Sequence, residues 1–165
     1  MNRLVPALVL VALVAAGWLW VRGDGPPPTR GTVARVVDGD TVIVRAGSRT
    51  LDVRLLGIDT PETVDPHRPV GCYGPEASAY TKHLLTGRAV RLVYDRQLHD
   101  VYGRWLAYVY LERPNRPELF VNARLIAAGY ARTLSIPPNT AHAAELAALE
   151  RRAALAGVGL WSACG

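Results

Sequence analysis

The amino-acid sequence predicts an α+β fold, mainly β, in which a barrel of five strands carries three helices. Five short segments between residues 33 and 110 either alternate apolar with polar residues or are rich in β-branched and aromatic side chains. Helix start and stop signals enclose three further segments rich in alanine and leucine. With 165 residues, 50% of them hydrophobic, the chain can form one domain with its own core.

The first three strands are predicted to form a meander. Strand composition covers 33–37 and 41–44, on either side of an Asp-Gly-Asp turn at 38–40. A second turn at 47–48 precedes the segment 51–56, where apolar residues stand at alternate positions. Turns this short join antiparallel neighbours, so we expect the three consecutive strands to pair.

A helix and two further strands are predicted next. Pro75 starts the helix, whose composition continues to Leu85 before Gly87 ends it. The segments 90–94 and 104–110 are rich in β-branched and aromatic residues and flank a loop, which predicts the fourth and fifth strands.

Two helices follow the fifth strand. One is predicted over 121–128, where Gly129 ends it, and Asn139 is the predicted N-cap of another that extends toward Gly157. The element order is therefore β-β-β-α-β-β-α-α. A five-stranded barrel with a helix inserted after the third strand, and with helices packed below it, is the plan of the oligonucleotide-binding (OB) barrel.

The segment 1–22 is predicted to be a secretory signal peptide or a membrane anchor, because residues 4–21 carry no charge and an arginine stands on each side. The sequence leaves both readings open. Three consecutive prolines predict a flexible linker over 23–31, which leaves 32–165 as the folded domain. We expect this domain to lie outside the cytoplasm, either extracellular or anchored to the membrane.

Cys72 and Cys164 are the two cysteines of the chain. In an exported protein an even number of cysteines favours a disulfide, which here would tie the C-terminus to a glycine-rich loop. Two free buried thiols are the alternative.

The charge of the chain gives little information about its partner. The formal net charge is +5, which suits a polyanion but is also common in soluble proteins. The four histidines share no spacing typical of a metal site, and we predict that none is catalytic. The sequence contains no recognisable Ser-His-Asp arrangement, glycine-rich phosphate loop or zinc site.

Two aspartates are predicted to lie together at strand ends. Asp40 follows the tight turn and Asp59 follows the third strand, so their carboxylates can converge. The Asp-Gly-Asp sequence by itself is more typical of a hairpin turn. A site made of two carboxylates and the backbone carbonyl of Thr60 contains only oxygen ligands and favours calcium over zinc. Glu62 is close enough in sequence to Asp59 to act as a general base or to orient a water.

Two arginines complete the predicted site. Arg54 lies on the third strand, and Arg104 lies at a loop-to-strand junction after Gly103. A phosphodiester is anionic, so attack on it requires positive groups that offset the charge developing on its oxygens. Because guanidinium groups bind phosphate oxygens in pairs, the acidic residues and arginines together predict phosphodiester cleavage.

Several motifs resemble those of the staphylococcal nuclease (thermonuclease) family, in the same order along the chain. They are VDGDT at 37–41, RLLGIDTPE at 54–62, GPEAS at 74–78, DVYGR at 100–104 and GLW at 159–161. The resemblance implies an OB barrel with three helices and calcium-dependent hydrolysis of DNA and RNA. In that reaction water attacks phosphorus, the 5′ oxygen departs and a 3′-phosphate remains.

The resemblance also implies a role for each residue of the site. The matching positions are Asp40, Asp59 and the Thr60 carbonyl for calcium, Glu62 for water activation, Arg54 and Arg104 for the phosphate and the transition state, and Tyr102 for a hydrogen bond to the nucleotide's phosphate. Residues 135–138 depart from the family, whose type member has two tyrosines there that pack against base and sugar. A stacked aromatic ring contributes about 1–3 kcal/mol per base, so we expect weaker substrate binding.

A second function stays open, that of a non-catalytic OB module that binds nucleic acid in a basic groove. The acidic residues argue against it, because carboxylates that no cation neutralises repel phosphate. A phosphodiesterase with a substrate other than nucleic acid is also left open. We expect a monomer that cleaves single- or double-stranded DNA and RNA, and that contacts a membrane if the segment 1–22 is retained.

Overall fold

The computed structural model describes residues 25–67 and 69–164. Its elements form a barrel with helices packed against it. In chain order they are β1 Arg30–Asp38, β2 Thr41–Ala46, β3 Arg49–Leu55, β4 Gly57–Asp59, α1 Gly74–Leu85, β5 Ala89–His99, β6 Trp105–Leu111, β7 Leu119–Phe120, α2 Val121–Ala127, β8 Arg132–Leu134, α3 Ala143–Leu155 and α4 Leu160–Ala163.

The five long strands close into a barrel. Hydrogen-bonded neighbours follow the order β3-β2-β1-β5-β6, and β3 also pairs in parallel with β6, where Val53 lies opposite Trp105. The first three strands are antiparallel, as their short turns predict. Two short pairings lie outside the closed ring, β7 on β6 and β4 on β8. The predicted five-stranded barrel is therefore confirmed.

Alternate strand residues fill the barrel. In β2 and β3 the interior positions are Val42, Val44, Leu51, Val53 and Leu55, each at most 2% exposed. Leu125 of α2 and Leu146 of α3 belong to the same buried cluster. Burying one such leucine contributes roughly 1.5–3 kcal/mol relative to leaving it exposed, so the strand ends are held on a rigid frame.

The predicted helices are present, and the described residues contain a fourth. α1 and α2 begin and end within about one residue of the predicted bounds. α4 is a single turn, and its first residue, Leu160, is 1% exposed. The burial of this leucine fixes the C-terminal segment against the rest of the domain.

The predicted N-cap of the third helix is wrong. α3 begins at Ala143, and Asn139 lies in the preceding loop, 4% exposed. The Asn139 side-chain amide donates to the carbonyl of Gln97 (2.9 Å) and accepts the backbone N–H of Gln97 (2.8 Å). An amide that is buried between these backbone partners on β5 does not cap a helix, so tertiary pairing overrides the local capping signal.

The first strand begins earlier than predicted. The carbonyl oxygens of Pro28 and Thr29 accept hydrogen bonds from the Tyr94 hydroxyl (2.6 Å) and the Leu92 N–H (2.8 Å), so the end of the predicted linker lies along β5. The segment 1–22, and with it the prediction of a signal peptide or anchor, lies outside the described residues. Among the residues that are described, no helix is long and apolar enough to cross a membrane.

A disulfide joins the loop before α1 to the residue after α4. The sulfur atoms of Cys72 and Cys164 are 2.10 Å apart and their Cα atoms 5.9 Å. The start of α4 is held by a hydrogen bond from the Leu160 N–H to the Gly129 carbonyl (2.9 Å). Gly129 has a φ of 71°, and a Cβ atom there would lie 2.1 Å from the carbonyl oxygen of Val158, so this approach requires glycine.

Candidate active site

Three strand ends bring two aspartates and an arginine to the same place. Asp40 precedes β2, Arg54 lies near the end of β3, and Asp59 ends β4. In the register of β2 and β3, Arg54 lies opposite Thr41, the neighbour of Asp40. A hydrogen bond from the Leu55 N–H to the Asp40 carbonyl (2.9 Å) ties β3 to the turn before β2. The barrel therefore fixes these backbone positions relative to one another.

Arg54 contacts both aspartates. Its Nη2 atom lies 3.2 Å from Asp40 Oδ2 and 3.0 Å from Asp59 Oδ1. Its Nη1 atom donates to the carbonyl oxygens of Leu55 and Ile58, at 2.8 Å each. The structure thus brings the two carboxylates to one side of the barrel. Asp40 is buried, whereas the side chain of Asp59 is 58% exposed, so the pair is open to solvent on the Asp59 side.

Asp40 has a second set of partners on the loop after β4. Its Oδ2 atom accepts the Thr60 N–H (2.9 Å) and the Thr60 hydroxyl (3.1 Å). Its Oδ1 atom accepts the hydroxyl of Thr41 (3.1 Å). Thr60, whose carbonyl the sequence predicts as a metal ligand, is buried and held beside Asp40.

Asp38 stabilises the same loop. Its carboxylate accepts the Gly39 N–H (2.8 Å), the Thr63 N–H (3.3 Å) and the Thr63 hydroxyl (2.6 Å). A Cβ atom at Gly39 would lie 2.7 Å from the Thr60 hydroxyl, so the turn can approach the loop this closely only with glycine at that position. The Asp-Gly-Asp turn therefore fixes the loop on the barrel in addition to joining two strands.

Glu62 lies on this loop, and its carboxylate is bound to the backbone. The Glu62 Oε1 atom accepts the N–H groups of the next three residues, at 3.0, 2.8 and 3.1 Å. The Glu62 carbonyl accepts the N–H of Gly71 (2.8 Å), which closes the loop. This turn was not foreseen from the sequence, and it holds the carboxylate in one orientation.

Arg104 is held by Asp100. Its Nε atom lies 2.7 Å from Asp100 Oδ2, and its backbone N–H donates to Asp100 Oδ1 (2.9 Å). Burial raises the pKa of Asp100, but the hydrogen bonds and charge of Arg104, with a further hydrogen bond from the Tyr102 N–H, outweigh burial and bring the pKa below its ordinary value of 3.8. The Arg104 guanidinium also lies 5.3 Å from the Tyr102 ring centroid. Because Asp100 binds Nε, it leaves the two terminal amino groups of Arg104 for another anion.

A cavity of about 320 Å³ lies between the two arginines. Its lining includes Arg54, Tyr102, Arg104, Leu134 and Ile136. Leu134 and Ile136 are 39% and 60% exposed, so they form an apolar rim. The sequence pattern singles out residues 135–138 but not Leu134, because the place of Leu134 in the site depends on the pairing of β8 with β4.

The oxygen atoms around the aspartate pair fit a hard cation. Carboxylates and a backbone carbonyl are hard ligands, and the Arg54 Nη2 atom between the two carboxylates marks a point that attracts positive charge. In the described part of the chain no group of three or more His, Cys, Asp or Glu side chains converges as a metal site. A cation here would complete its coordination with carbonyl, water and substrate oxygens, a set that suits calcium better than zinc.

Known proteins are similar to this chain over most of its length. The family described as Staphylococcal nuclease homologue matches residues 52–163. The thermonuclease of Staphylococcus intermedius is 39% identical over 162 residues, which cover 93% of this chain and 94% of that protein. The thermonuclease of Staphylococcus hyicus is 36% identical over 173 aligned positions, with 98% and 99% covered. Endonuclease YncB of Bacillus subtilis (strain 168) is 35% identical over 136 residues, with 81% and 62% covered.

Proposed function

The chain belongs to the staphylococcal nuclease family, and from this premise we propose that it is a calcium-dependent nuclease that hydrolyses the phosphodiester bonds of DNA and RNA. The observation that carries the proposal is the meeting of two carboxylates with two guanidinium groups. Asp40 and Asp59 both contact Arg54, and Arg54 lines the same cavity as Arg104. Such a set of groups can bind a cation and a phosphodiester side by side.

The arginines bind the phosphate of the substrate. A guanidinium fork matches two phosphate oxygens, and its charge offsets the negative charge that grows on them as water adds to phosphorus. Arg104 offers its terminal amino groups for this contact, since Asp100 binds its Nε atom. The hydroxyl of Tyr102, on the same cavity wall, donates a hydrogen bond to a phosphate of the nucleotide.

Glu62 takes the proton of the attacking water. The water oxygen forms a bond to phosphorus, and the bond between phosphorus and the 5′ oxygen breaks. The 5′ oxygen takes a proton from solvent and leaves as a hydroxyl group, while Glu62 returns its proton to solvent. The phosphate stays on the 3′ oxygen, so the products end in 3′-phosphates and 5′-hydroxyls. Three backbone N–H groups orient the Glu62 carboxylate and so define the direction from which it receives the proton.

Asp40, Asp59 and the carbonyl of Thr60 would hold the calcium ion, which supplies positive charge beside the phosphate when it is bound. Hydrogen bonds from Thr60 to Asp40 keep two of these residues adjacent. The two aspartates would thus bind a calcium ion, which a protein that only binds nucleic acid does not need.

The N-terminal segment indicates where the enzyme acts. Residues 4–21 carry no charge, so we propose that the protein is exported, with the nuclease domain either released or held at the outer face of the membrane. A disulfide between Cys72 and Cys164 suits such oxidising surroundings. The enzyme is proposed to act as a monomer.

Incubation of the full-length protein with end-labelled single-stranded DNA, in calcium and in chelator, tests the proposal. We expect fragments with 3′-phosphate ends in calcium and intact DNA in chelator. Cleavage in chelator would exclude the role of calcium. Binding of DNA without cleavage under either condition would instead favour the non-catalytic OB module.

A further inference from the structure

A surface rich in aromatic side chains and arginines borders the candidate active site. Three of its tyrosines are stacked: the ring centroids of Tyr73 and Tyr130 are 5.6 Å apart, and those of Tyr80 and Tyr130 are 4.2 Å apart. Arg124 extends this row, since its Nε atom donates to the Tyr80 hydroxyl at 2.8 Å. The tyrosines are half-buried and Arg124 is exposed, so the row lies at the protein surface.

A second arginine lies nearer the aspartates. Arg132 pairs with Asp59 across β8 and β4, so the two side chains emerge next to each other. The Arg132 guanidinium lies 4.1 Å from the ring centroid of Trp161, in a cation–π contact. Arg132 is exposed and Tyr130, two residues before it, is half-buried, so both reach the surface on either side of the buried Ala131.

The segment that leads into the tyrosine row and the candidate active site line the same hollow. A hollow of about 480 Å³ is lined by Asp59 and also by Cys72, the residue before Tyr73. The disulfide joins Cys72 to Cys164, which follows the helix that carries Trp161. Asp59, the start of the tyrosine row and the helix that carries Trp161 are thus linked through this hollow and the disulfide.

Both arginines of this surface are exposed, although Asp59 lies opposite Arg132 across the two strands. Within residues 25–67 and 69–164 neither Arg124 nor Arg132 forms an ion pair, whereas other arginines do. A cation–π contact occupies the face of the guanidinium plane and leaves its edge N–H groups for oxygen acceptors. The phosphate groups of a nucleic acid match these donors in charge and geometry.

We propose that this surface binds the single-stranded part of a nucleic acid that extends beyond the cleaved bond. We call it the aromatic–arginine surface, and it comprises Tyr73, Tyr80, Arg124, Tyr130, Arg132 and Trp161. The inference rests on the proposed function, because it defines the path of the same substrate. Aromatic rings that stack on bases, combined with arginines that bind phosphates, hold single strands without sequence preference. A duplex offers no free base faces, so the surface favours single strands.

Binding is measured in chelator so that the active site contributes little to it. Without a cation Asp40 and Asp59 repel phosphate, and the affinity then reports on the aromatic–arginine surface. By fluorescence anisotropy, the full-length protein should bind a labelled single strand of about 20 nucleotides, and the variant Arg124→Ala/Arg132→Ala should bind it at least about tenfold more weakly. The slope of log affinity against log salt is negative, and its magnitude should decrease by about 1.4 in this variant. Two phosphate contacts are lost, and each contributes about 0.7 for a single strand.

Three further variants serve as controls and as a second test. Arg45→Ala/Arg88→Ala removes the same charge from exposed positions elsewhere and should keep the affinity within about twofold. Arg124→Lys/Arg132→Lys retains the charge and should keep the salt slope of the wild type. Tyr130→Leu keeps an apolar side chain but removes the middle ring, which supports the outer rings of Tyr73 and Tyr80. This variant should bind about fivefold more weakly, and it tests the surface even if the double alanine variant fails to fold.

Unchanged affinity in both the alanine pair and Tyr130→Leu would overturn the proposal. So would equal affinity of the wild type for a duplex of the same length. If the wild-type protein binds the single strand as described but leaves it intact in calcium, the proposed nuclease function is refuted. The proposed role of the aromatic–arginine surface in binding would then still hold.

Discussion

Arg54 and Arg104 are held in different ways, and the difference bears on what each can do. Arg54 contacts two aspartates and two backbone carbonyls, so its position is fixed by four acceptors. Among the described residues Arg104 forms an ion pair with Asp100 alone, through Nε, and its guanidinium also lies beside the Tyr102 ring. The terminal nitrogens of Arg104 are thus the donors best placed to form a fork on the phosphate, and their geometry is what a lysine lacks.

Replacing Arg104 by lysine should lower kcat on single-stranded DNA by at least about tenfold, because a point charge replaces a planar fork. The measurement is initial rates at saturating substrate and calcium. Arg88→Lys, at an exposed position before β5, is the matched control and should keep the wild-type kcat. Wild-type turnover in Arg104→Lys would remove Arg104 from the mechanism.

The substitution Glu62→Gln should lower kcat by roughly 10²- to 10⁴-fold, the usual contribution of a general base. Glutamine keeps an oxygen that can accept the three backbone N–H groups, so the loop is retained while the base is lost. Glu76→Gln, in the first turn of α1, is the control and should leave the rate unchanged. Equal rates and pH profiles for wild type and Glu62→Gln would show that Glu62 is not the base.

The ion pair between Asp100 and Arg104 predicts how stability depends on pH. Burial raises the pKa of Asp100, but the bonds and charge of Arg104 together lower it below 3.8. A lowered carboxyl pKa contributes stability that is present above the unfolded pKa and is lost as pH falls through the folded value. Urea denaturation should therefore show that acidification from about pH 5 to pH 3 destabilises wild type more than Asp100→Asn. Parallel losses in the two proteins would contradict this.

Among the secondary-structure elements, α4 and the loop before α1 are joined by the disulfide, which closes a sequence separation of 92 residues. Replacing both Cys72 and Cys164 by serine should lower the free energy of unfolding by about 2–5 kcal/mol, because the unfolded chain gains freedom. Chemical denaturation measures the loss. Mass analysis of the wild type without reductant should first show the two cysteines joined, and two free thiols would contradict the account.

Elements with local signals could be predicted from the sequence, and elements that depend on distant partners could not. The alternation over 51–56 and the Pro75 start signal belong to short stretches of chain, and β3 and α1 lie where those signals place them. The start of α3 could not be predicted, because Asn139 carries a capping signal but its amide binds Gln97. The short strand β8 forms only because β4 lies beside it.

The residues of the candidate site also fall into those that local sequence predicts and those whose place depends on distant partners. Asp40, Arg54 and Asp59 could be placed together from the ends of adjacent strands, and both aspartates contact Arg54 in the structure. The backbone turn that binds the Glu62 carboxylate depends on how the loop closes. The contribution of Leu134 depends on strand pairing between segments far apart in sequence, which no local pattern encodes.

The molecule as a whole is a barrel with an apolar interior, and the polar residues of the candidate site lie at one set of its strand ends. Buried leucines and valines fix the strands, and the polar groups that fix the turn before β2 and the loop after β4 converge on Asp40 and Thr60. Arg54, which contacts Asp40, lines a cavity together with Arg104, and Arg132 of the aromatic–arginine surface lies opposite Asp59. The proposed function requires the two aspartates to share a cation next to the phosphate site.

Calcium binding measured by isothermal titration calorimetry tests this claim most directly. The wild-type protein should bind about one calcium ion, and Asp40→Asn and Asp59→Asn should each lower the affinity at least about tenfold, since each removes a charged ligand. Asp65→Asn, on the same loop as Glu62, should bind calcium as the wild type does. Absence of calcium binding by the wild type, or wild-type affinity in both Asp40→Asn and Asp59→Asn, would contradict the account.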